Sequence, residues 1–194
     1  LTHLEPEVLT ASGSHDVEIR RGDLTDLLYG VIRDDVEMRF NDSIATLDER
    51  DEGVDVSFAS GLRRRFDLVV GADGLHSRTR SLILGPEAQY HRYLGYSFAG
   101  FGIPNHLGLS REGVMWNVPG RTAALYAVGD RPAHVHAFLN FSLAEPPLDA
   151  HRDPAAQRRL ITSLFDGEDR WEIPRLVAAM QRSDDLFFDV VSQI

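Results

Sequence analysis

One stretch carries more chemistry than any other: Asp67-Leu68-Val69-Val70-Gly71-Ala72-Asp73-Gly74-Leu75-His76-Ser77-Arg78-Thr79-Arg80. A short continuous apolar run, residues 67–70, reads as a strand buried on both faces. It ends in a glycine-bracketed turn, and Ser77 or a neighbour opens a helix behind it. Helix starts present unpaired N–H groups and the positive end of the macrodipole, so anions gather there. At such a position Asp73 can accept hydrogen bonds from ribose hydroxyls or from water ordered on a diphosphate. It can equally do structural work, capping the helix or pairing with Arg78 or Arg80. Both readings stand at this point. A second segment, residues 17–28, brings Arg21 to the front of an amphipathic run whose apolar positions are Leu24, Leu27, Leu28, Val31 and Ile32. That spacing is helical, with Asp23 at its start. His134 and His136 form a His-x-His pair with no third ligand at recognisable spacing, so no metal site is expected.

The elements that must position these residues fall into two regions, 1–85 and 86–194. The first mixes helix and strand. Residues 36–40 and 43–48 look extended, and 54–58 alternate strictly between Gly53 and Gly61. The run Asp48-Glu49-Arg50-Asp51-Glu52-Gly53 reads as a charged hairpin tip, and Arg63-Arg64-Arg65 as an exposed edge. In the second region, 93–103, 114–118, 122–128 and 134–141 are strand-like, with turn signals at Pro119-Gly120 and Gly129-Asp130. Short turns favour an antiparallel sheet. Helices are expected from Pro154, after Asp153 as N-cap, to Phe165, and from Pro174 to about Met180. A last strand covers 186–191. The fold class is therefore α+β: a mixed, largely antiparallel sheet with flanking helices, plus a partial α/β segment. Trp116 and Trp171 read as core.

Composition narrows the chemistry further. Among 194 residues there are 20 basic and 30 acidic ones, for a formal net charge of −10, with no cysteine. Every basic residue is arginine. Disulfides, thiolate metal sites and cysteine nucleophiles are excluded, as are lysine Schiff bases and the G-x-x-x-x-G-K-[ST] phosphate loop. The acidic balance argues against nucleic acid as a partner. No apolar run approaches the roughly 20 residues of a membrane span, so no membrane partner is expected. The sequence opens Leu1-Thr2-His3-Leu4-Glu5-Pro6, without a signal pattern or an initiator methionine. The expectations are a cytoplasmic setting and a piece of a longer or processed polypeptide.

The pattern of apolar strand followed by Asp73-Gly74-x-x-Ser77-x-x-Arg80 resembles the internal Asp-Gly fingerprint of the class A flavoprotein monooxygenases, whose reference fold is para-hydroxybenzoate hydroxylase. Arg21, Leu24 and Leu28 match that family's Arg-x-x-Leu-x-x-x-Leu helix, whose leading side chain reaches the flavin. The resemblance runs from Val17 to Ile194. It implies FAD as cofactor, held here by Arg21, Asp73, Gly74, Ser77 and Arg80, and NADPH or NADH as co-substrate. It implies oxygen transfer from a flavin C4a-hydroperoxide to an electron-rich aromatic or polyketide-type small molecule. Regions 1–85 and 86–194 then correspond to a partial FAD-binding segment and a substrate-binding sheet. Two family features are missing: the G-x-G-x-x-G unit that holds the ADP half of FAD, and the later Gly-Asp motif. The chain alone is thus expected to hold FAD weakly and to be inactive. Without its flavin domain it should expose apolar surface and self-associate.

Strand parity then distinguishes two faces. Val135, Ala137, Leu139 and Phe141 form an apolar face suited to a core, while His134, His136, Phe138 and Asn140 form a mixed one. On the mixed face, Met115, Asn117, Tyr126 and His136 are the substrate-pocket candidates; a solvated face is the competing reading. No catalytic residue is assigned. Two alternatives to a hydroxylase are a non-hydroxylating flavin oxidoreductase and a stand-alone ligand-binding or interaction domain. Flavin halogenases are disfavoured because they use a lysine.

Overall fold

The structure is a computed structural model and describes residues 2–4, 19, 21–128, 132–150 and 153–194. Residues 17, 18 and 20 of the Arg21 segment and the Gly129-Asp130 turn signal lie outside the described residues. The chain forms two compact units, one of residues 1–24 and 93–191, the other of residues 25–92 and 192–194.

The first unit is built on a six-stranded sheet. Its strands are β1 (Thr2–Leu4), β5 (Arg92–Pro104), β6 (Gly113–Val118), β7 (Arg121–Tyr126), β8 (His134–Ser142) and β9 (Phe187–Gln193). They lie in the order β1-β6-β7-β8-β5-β9, and the ladders from β1 to β5 are antiparallel. Strict alternation in β8 buries Val135, Ala137, Leu139 and Phe141 to within 2% exposure, as parity requires. Residues of the same parity on β5 and β7, including Ala99, Phe101, Ala123 and Leu125, join them. Two helices cover that face: α3 (Pro154–Leu164) and α4 (Ile173–Arg182). They deliver Ile161, Ile173, Leu176 and Met180, all fully buried. Asp153 caps α3 by accepting from the backbone N–H groups of Ala155 and Ala156, with Pro154 as the first helical residue.

An arginine-carboxylate knot closes one corner of this unit. Arg121 at the start of β7 donates to the Leu164 carbonyl at the end of α3 (2.8 Å) and lies 3.6 Å from Glu168. Its guanidinium stands about 6.0 Å from the Trp116 ring and 5.8 Å from that of Phe165. Arg170 also binds Glu168 and stacks 5.4 Å from Trp116. Trp116 is core, as expected, and Trp171 packs against that core half-buried.

The second unit contains α1 (Arg21–Ile32) from residue 25 onward, the three-stranded antiparallel sheet β2 (Ile44–Arg50), β3 (Gly53–Phe58) and β4 (Arg63–Phe66), and α2 (Arg78–Leu84). The charged hairpin tip is where it was expected, between Arg50 and its ladder partner Gly53. The three arginines lie within β4 itself, on the sheet edge, where Arg64 pairs with Glu37 and Arg65 with Asp55.

Two sequence expectations need correction. Residues 67–70 are not a strand buried on both faces: they have no ladder partner, and Leu68 and Val70 are 75% and 76% exposed. An apolar run becomes a central strand only when chain pairs with both edges and packs on both sides. None of the described residues does so. Residues 36–40 are irregular rather than a strand, and Phe40 instead meets Tyr29 edge-on, with ring centroids 5.6 Å apart.

Candidate functional site

The Asp-Gly turn is organised from within. Asp73 accepts three hydrogen bonds: from the Ser77 hydroxyl (2.5 Å), the Thr79 backbone N–H (2.9 Å) and the Thr79 hydroxyl (3.2 Å). Ser77, buried, is the N-cap of α2 and accepts from the Arg80 N–H at 2.9 Å. Arg80 turns back to donate to the Leu75 carbonyl at 2.6 Å. Gly71 allows Thr79 to pack directly on the backbone, since a Cβ there would lie 2.8 Å from Thr79 Cγ2. Gly74 takes φ +78°, a left-handed conformation that glycine adopts without strain. The structural reading of Asp73 is therefore realised.

Realising it does not exclude the binding reading. A carboxylate accepts through two oxygens, each able to take more than one donor. Burial pushes the Asp73 carboxyl up, but the bonds from Ser77, Thr79 and its own backbone outweigh that and hold it at about 2. The group is a fixed anion at neutral pH. Next to it, the Arg80 Nε is buried without a hydrogen-bond partner. No heavy atom lies within 4 Å of where a Gly74 Cβ would sit. An ionised acceptor, an unused donor and open backbone suit a polyhydroxylated or diphosphate-bearing ligand, so these residues fit FAD.

In the first unit, all four substrate-pocket candidates share one sheet face. Tyr126 and His136 are direct cross-strand partners, and their rung continues to Gly113 on one side and Gly102 on the other. The next rung is Met115, Ala124, Phe138 and Gly100, and the one beyond runs Asn117, Thr122, Asn140 and Phe98. Asn117 is exposed and accepts from the Thr122 hydroxyl at 2.8 Å; Met115, Tyr126 and His136 are half-buried. Two rungs thus set a glycine beside an aromatic or imidazole ring, and neighbouring side chains use the space: the Phe138 ring would lie 3.4 Å from a Cβ at Gly100.

Asp185, which sequence reasoning missed, completes the His136 end. Its Oδ2 accepts from the Gly102 N–H at 3.0 Å, and its Oδ1 from the Ser183 hydroxyl at 2.6 Å. The Ser183 bond, then the Gly102 bond and the charge of His136, lower its pKa against the opposing effect of burial. A Cβ at Gly102 would stand 3.0 Å from that oxygen. A cavity of about 800 Å³ opens here, lined among others by Gly102, His134, His136, Ser183 and Asp185. No periodicity links Asp185 to a β5 glycine, so no local signal could have found it.

Arg21 is the first residue of α1 and is exposed. It belongs to the first unit and Asp73 to the second.

Comparison with known proteins gives these residues a context. No protein-family profile matches the chain. A flavin-dependent monooxygenase of Legionella longbeachae is 31% identical over 179 residues, covering 92% of this chain and 45% of that protein. The chain is similar to flavin-dependent monooxygenases. The crystal structure of tetracycline destructase Tet(51) matches with a TM-score of 0.76 at 31% identity, over 89% of this chain and 45% of that one. An uncharacterised Mycobacterium tuberculosis protein, Rv1260, is 39% identical over 181 residues, 93% of this chain and 48% of its own length. The chain therefore spans about half the length of the curated relatives it matches. Its α+β fold, with mixed helices and antiparallel sheets, is that of the matching portion of the Tet(51) structure. Among the described residues, no helix is long and apolar enough to cross a membrane.

Proposed function

We propose that this chain forms the substrate-facing part of an FAD-dependent monooxygenase that uses NADPH or NADH and hydroxylates an aromatic or polyketide-type small molecule. The supporting observation is the alignment of Met115, Asn117, Tyr126 and His136 on one open sheet face, above a fully packed one, in a chain 31% identical to a flavin-dependent monooxygenase.

Oxygen activation is the chemistry that bound FAD supplies, with electrons from the nicotinamide. The chain's own residues bind, orient and exclude water. Tyr126 and Phe138 offer flat apolar surface, while His136, held near the Asp185 carboxylate, offers a hydrogen bond to a substrate hydroxyl. Met115 and Ala124 keep the middle of the face dry. Arg21 at the start of α1, and Asp73, Gly74, Ser77 and Arg80 at the Asp-Gly turn, are the residues assigned to hold the cofactor. The chain by itself is not catalytically competent, because none of its 194 residues forms a G-x-G-x-x-G phosphate loop. Apolar side chains left uncovered, Leu27, Leu28 and Val31 among them, drive self-association of the isolated piece.

The test uses a polypeptide in which this chain is joined to glycine-rich and Gly-Asp segments. Arg21→Ala and Asp73→Ala should each lower bound flavin. Tyr126→Ala and His136→Ala should keep flavin bound but lose substrate-stimulated NAD(P)H oxidation. Unchanged flavin content and turnover in all four variants would reject the reading.

A further inference from the structure

Outside the surfaces described so far, His76, Glu87 and His91 form a cluster in the second unit. One ligating atom from each lies within 4.8 Å of the others. Glu87 and His91 are four residues apart, but His76 stands eleven residues before Glu87 with no ligand spacing that a linear pattern reveals. Folding brings them together. The left-handed Gly85 (φ +99°) reverses the chain after α2, and the short 3-10 turn Glu87–Gln89 then returns toward the loop that precedes the helix. The His91 N–H donates to the Glu87 carbonyl at 3.0 Å, stacking the two side chains one turn apart. Tyr90 ties the same turn to the helix end through its hydroxyl bond to the Leu84 carbonyl. Both ligand-bearing segments are therefore anchored to α2.

The donor set has the composition of a borderline-soft cation site. His76 Nδ1 is 2.7 Å from Glu87 Oε1, and His91 Nε2 is 4.0 Å from that same oxygen. The two imidazole rings lie 5.7 Å apart, tilted by 32°. An independent observation points to a missing ligand: His91 Nε2 is buried and has no hydrogen-bond partner. Buried ring nitrogens without partners are rare, and a bound ion is one of the few things that satisfies them. Tetrahedral zinc with bonds near 2.0 Å wants its ligands about 3.3 Å apart. A small rotation of Glu87 opens the 2.7 Å contact and closes the 4.0 Å one toward that value. The side chains of His76, Glu87 and His91 are 25%, 32% and 14% exposed, so an ion can enter and keep a water in the fourth position.

We propose that His76, Glu87 and His91 bind a divalent transition-metal ion of the zinc type. The ion clips the loop carrying Asp73 and Gly74 to the turn after α2. This site is independent of the monooxygenase reading.

The experiment is a titration of the chelator-treated chain with Co²⁺, followed by its visible ligand-field absorption, and then with Zn²⁺ by calorimetry. The expected result is one saturable ion per chain, with Zn²⁺ displacing Co²⁺. Glu87→Gln keeps a hydrogen-bonding partner for His76 and leaves the fold intact, yet should weaken binding by at least about tenfold, as should His91→Ala. His134→Ala, in the other unit, should leave binding unchanged. Absence of saturable binding by the wild-type chain would overturn the proposal. So would equal affinity in Glu87→Gln and His91→Ala, or a loss in His134→Ala as large as theirs.

Discussion

The two units bury apolar surface to very different extents. In the first, alternating residues of four strands meet two helices, and Leu125, Leu139, Ile161, Ile173, Leu176 and Met180 are completely buried. In the second, α1 has a well-formed apolar stripe with no buried residue, and Leu68 and Val70 stand open to solvent. Both sequences carry clear hydrophobic periodicity. The difference is whether the described chain supplies a partner for it. Periodicity specifies an element and its face; only complementary surface turns that face into core.

The largest expected effect separates the units directly. Leu139→Ala removes a fully buried side chain from the sheet core and should cost about 2–5 kcal/mol. Leu28→Ala, at a position 58% exposed on α1, should stay within about 0.5 kcal/mol. Chemical denaturation followed by Trp fluorescence for the first variant and far-UV circular dichroism for the second measures both. A cost at Leu28 comparable to that at Leu139 would mean that the stripe is covered in solution, and would erase the contrast.

Smaller effects sharpen the picture inside the second unit, where polar bonds and backbone contacts replace apolar burial. Gly71→Ala places a methyl 2.8 Å from Thr79 Cγ2, an overpacking that should cost about 1–3 kcal/mol. Ser77→Ala removes the N-cap of α2 and one of the three bonds to Asp73, for about 1 kcal/mol. Hydrogen exchange of the α2 amides reads both. If exchange at Arg80 were unchanged in Ser77→Ala, the turn would not be held by its polar network.

What the sequence revealed follows the same division. Strand parity located the buried face of β8 residue by residue, and the cap at Asp153 and the hairpin tip after Arg50 were local signals that held. The Asp-Gly turn was legible as a unit because all its hydrogen bonds close within a few residues. Residues 67–70 depart from their apolar pattern, because a run of Leu and Val states a preference for burial and not its fulfilment. Asp185 beside Gly102, and His76 beside Glu87 and His91, were invisible for a related reason: each depends on a chain reversal that brings together residues with no shared period.

The finest distinction between the units is electrostatic. Glu168 in the first and Asp73 in the second both have carboxyl pKa values lowered to about 2, for different causes. At Glu168 the Arg170 side-chain bond dominates, opposed by burial and helped by the charges of Arg170 and Arg121. At Asp73 burial opposes and neutral donors, Ser77 and Thr79, overcome it. Since each folded pKa is depressed, each contributes stability that is fully present above its ordinary value, 4.5 for Glu168 and 3.8 for Asp73, and is lost as pH falls through about 2. Salt should tell them apart. Attraction between ions is screened, whereas a bond from a hydroxyl or an amide N–H to a carboxylate depends little on ionic strength. Carboxylate titration by NMR at low salt and at about 1 M salt, where the screening length is roughly 3 Å, should show the Glu168 value rising while that of Asp73 stays in place. An equal rise at both would mean that the Asp73 turn is held by cations after all, with Arg78 or Arg80 in the role that the neutral hydroxyls occupy here.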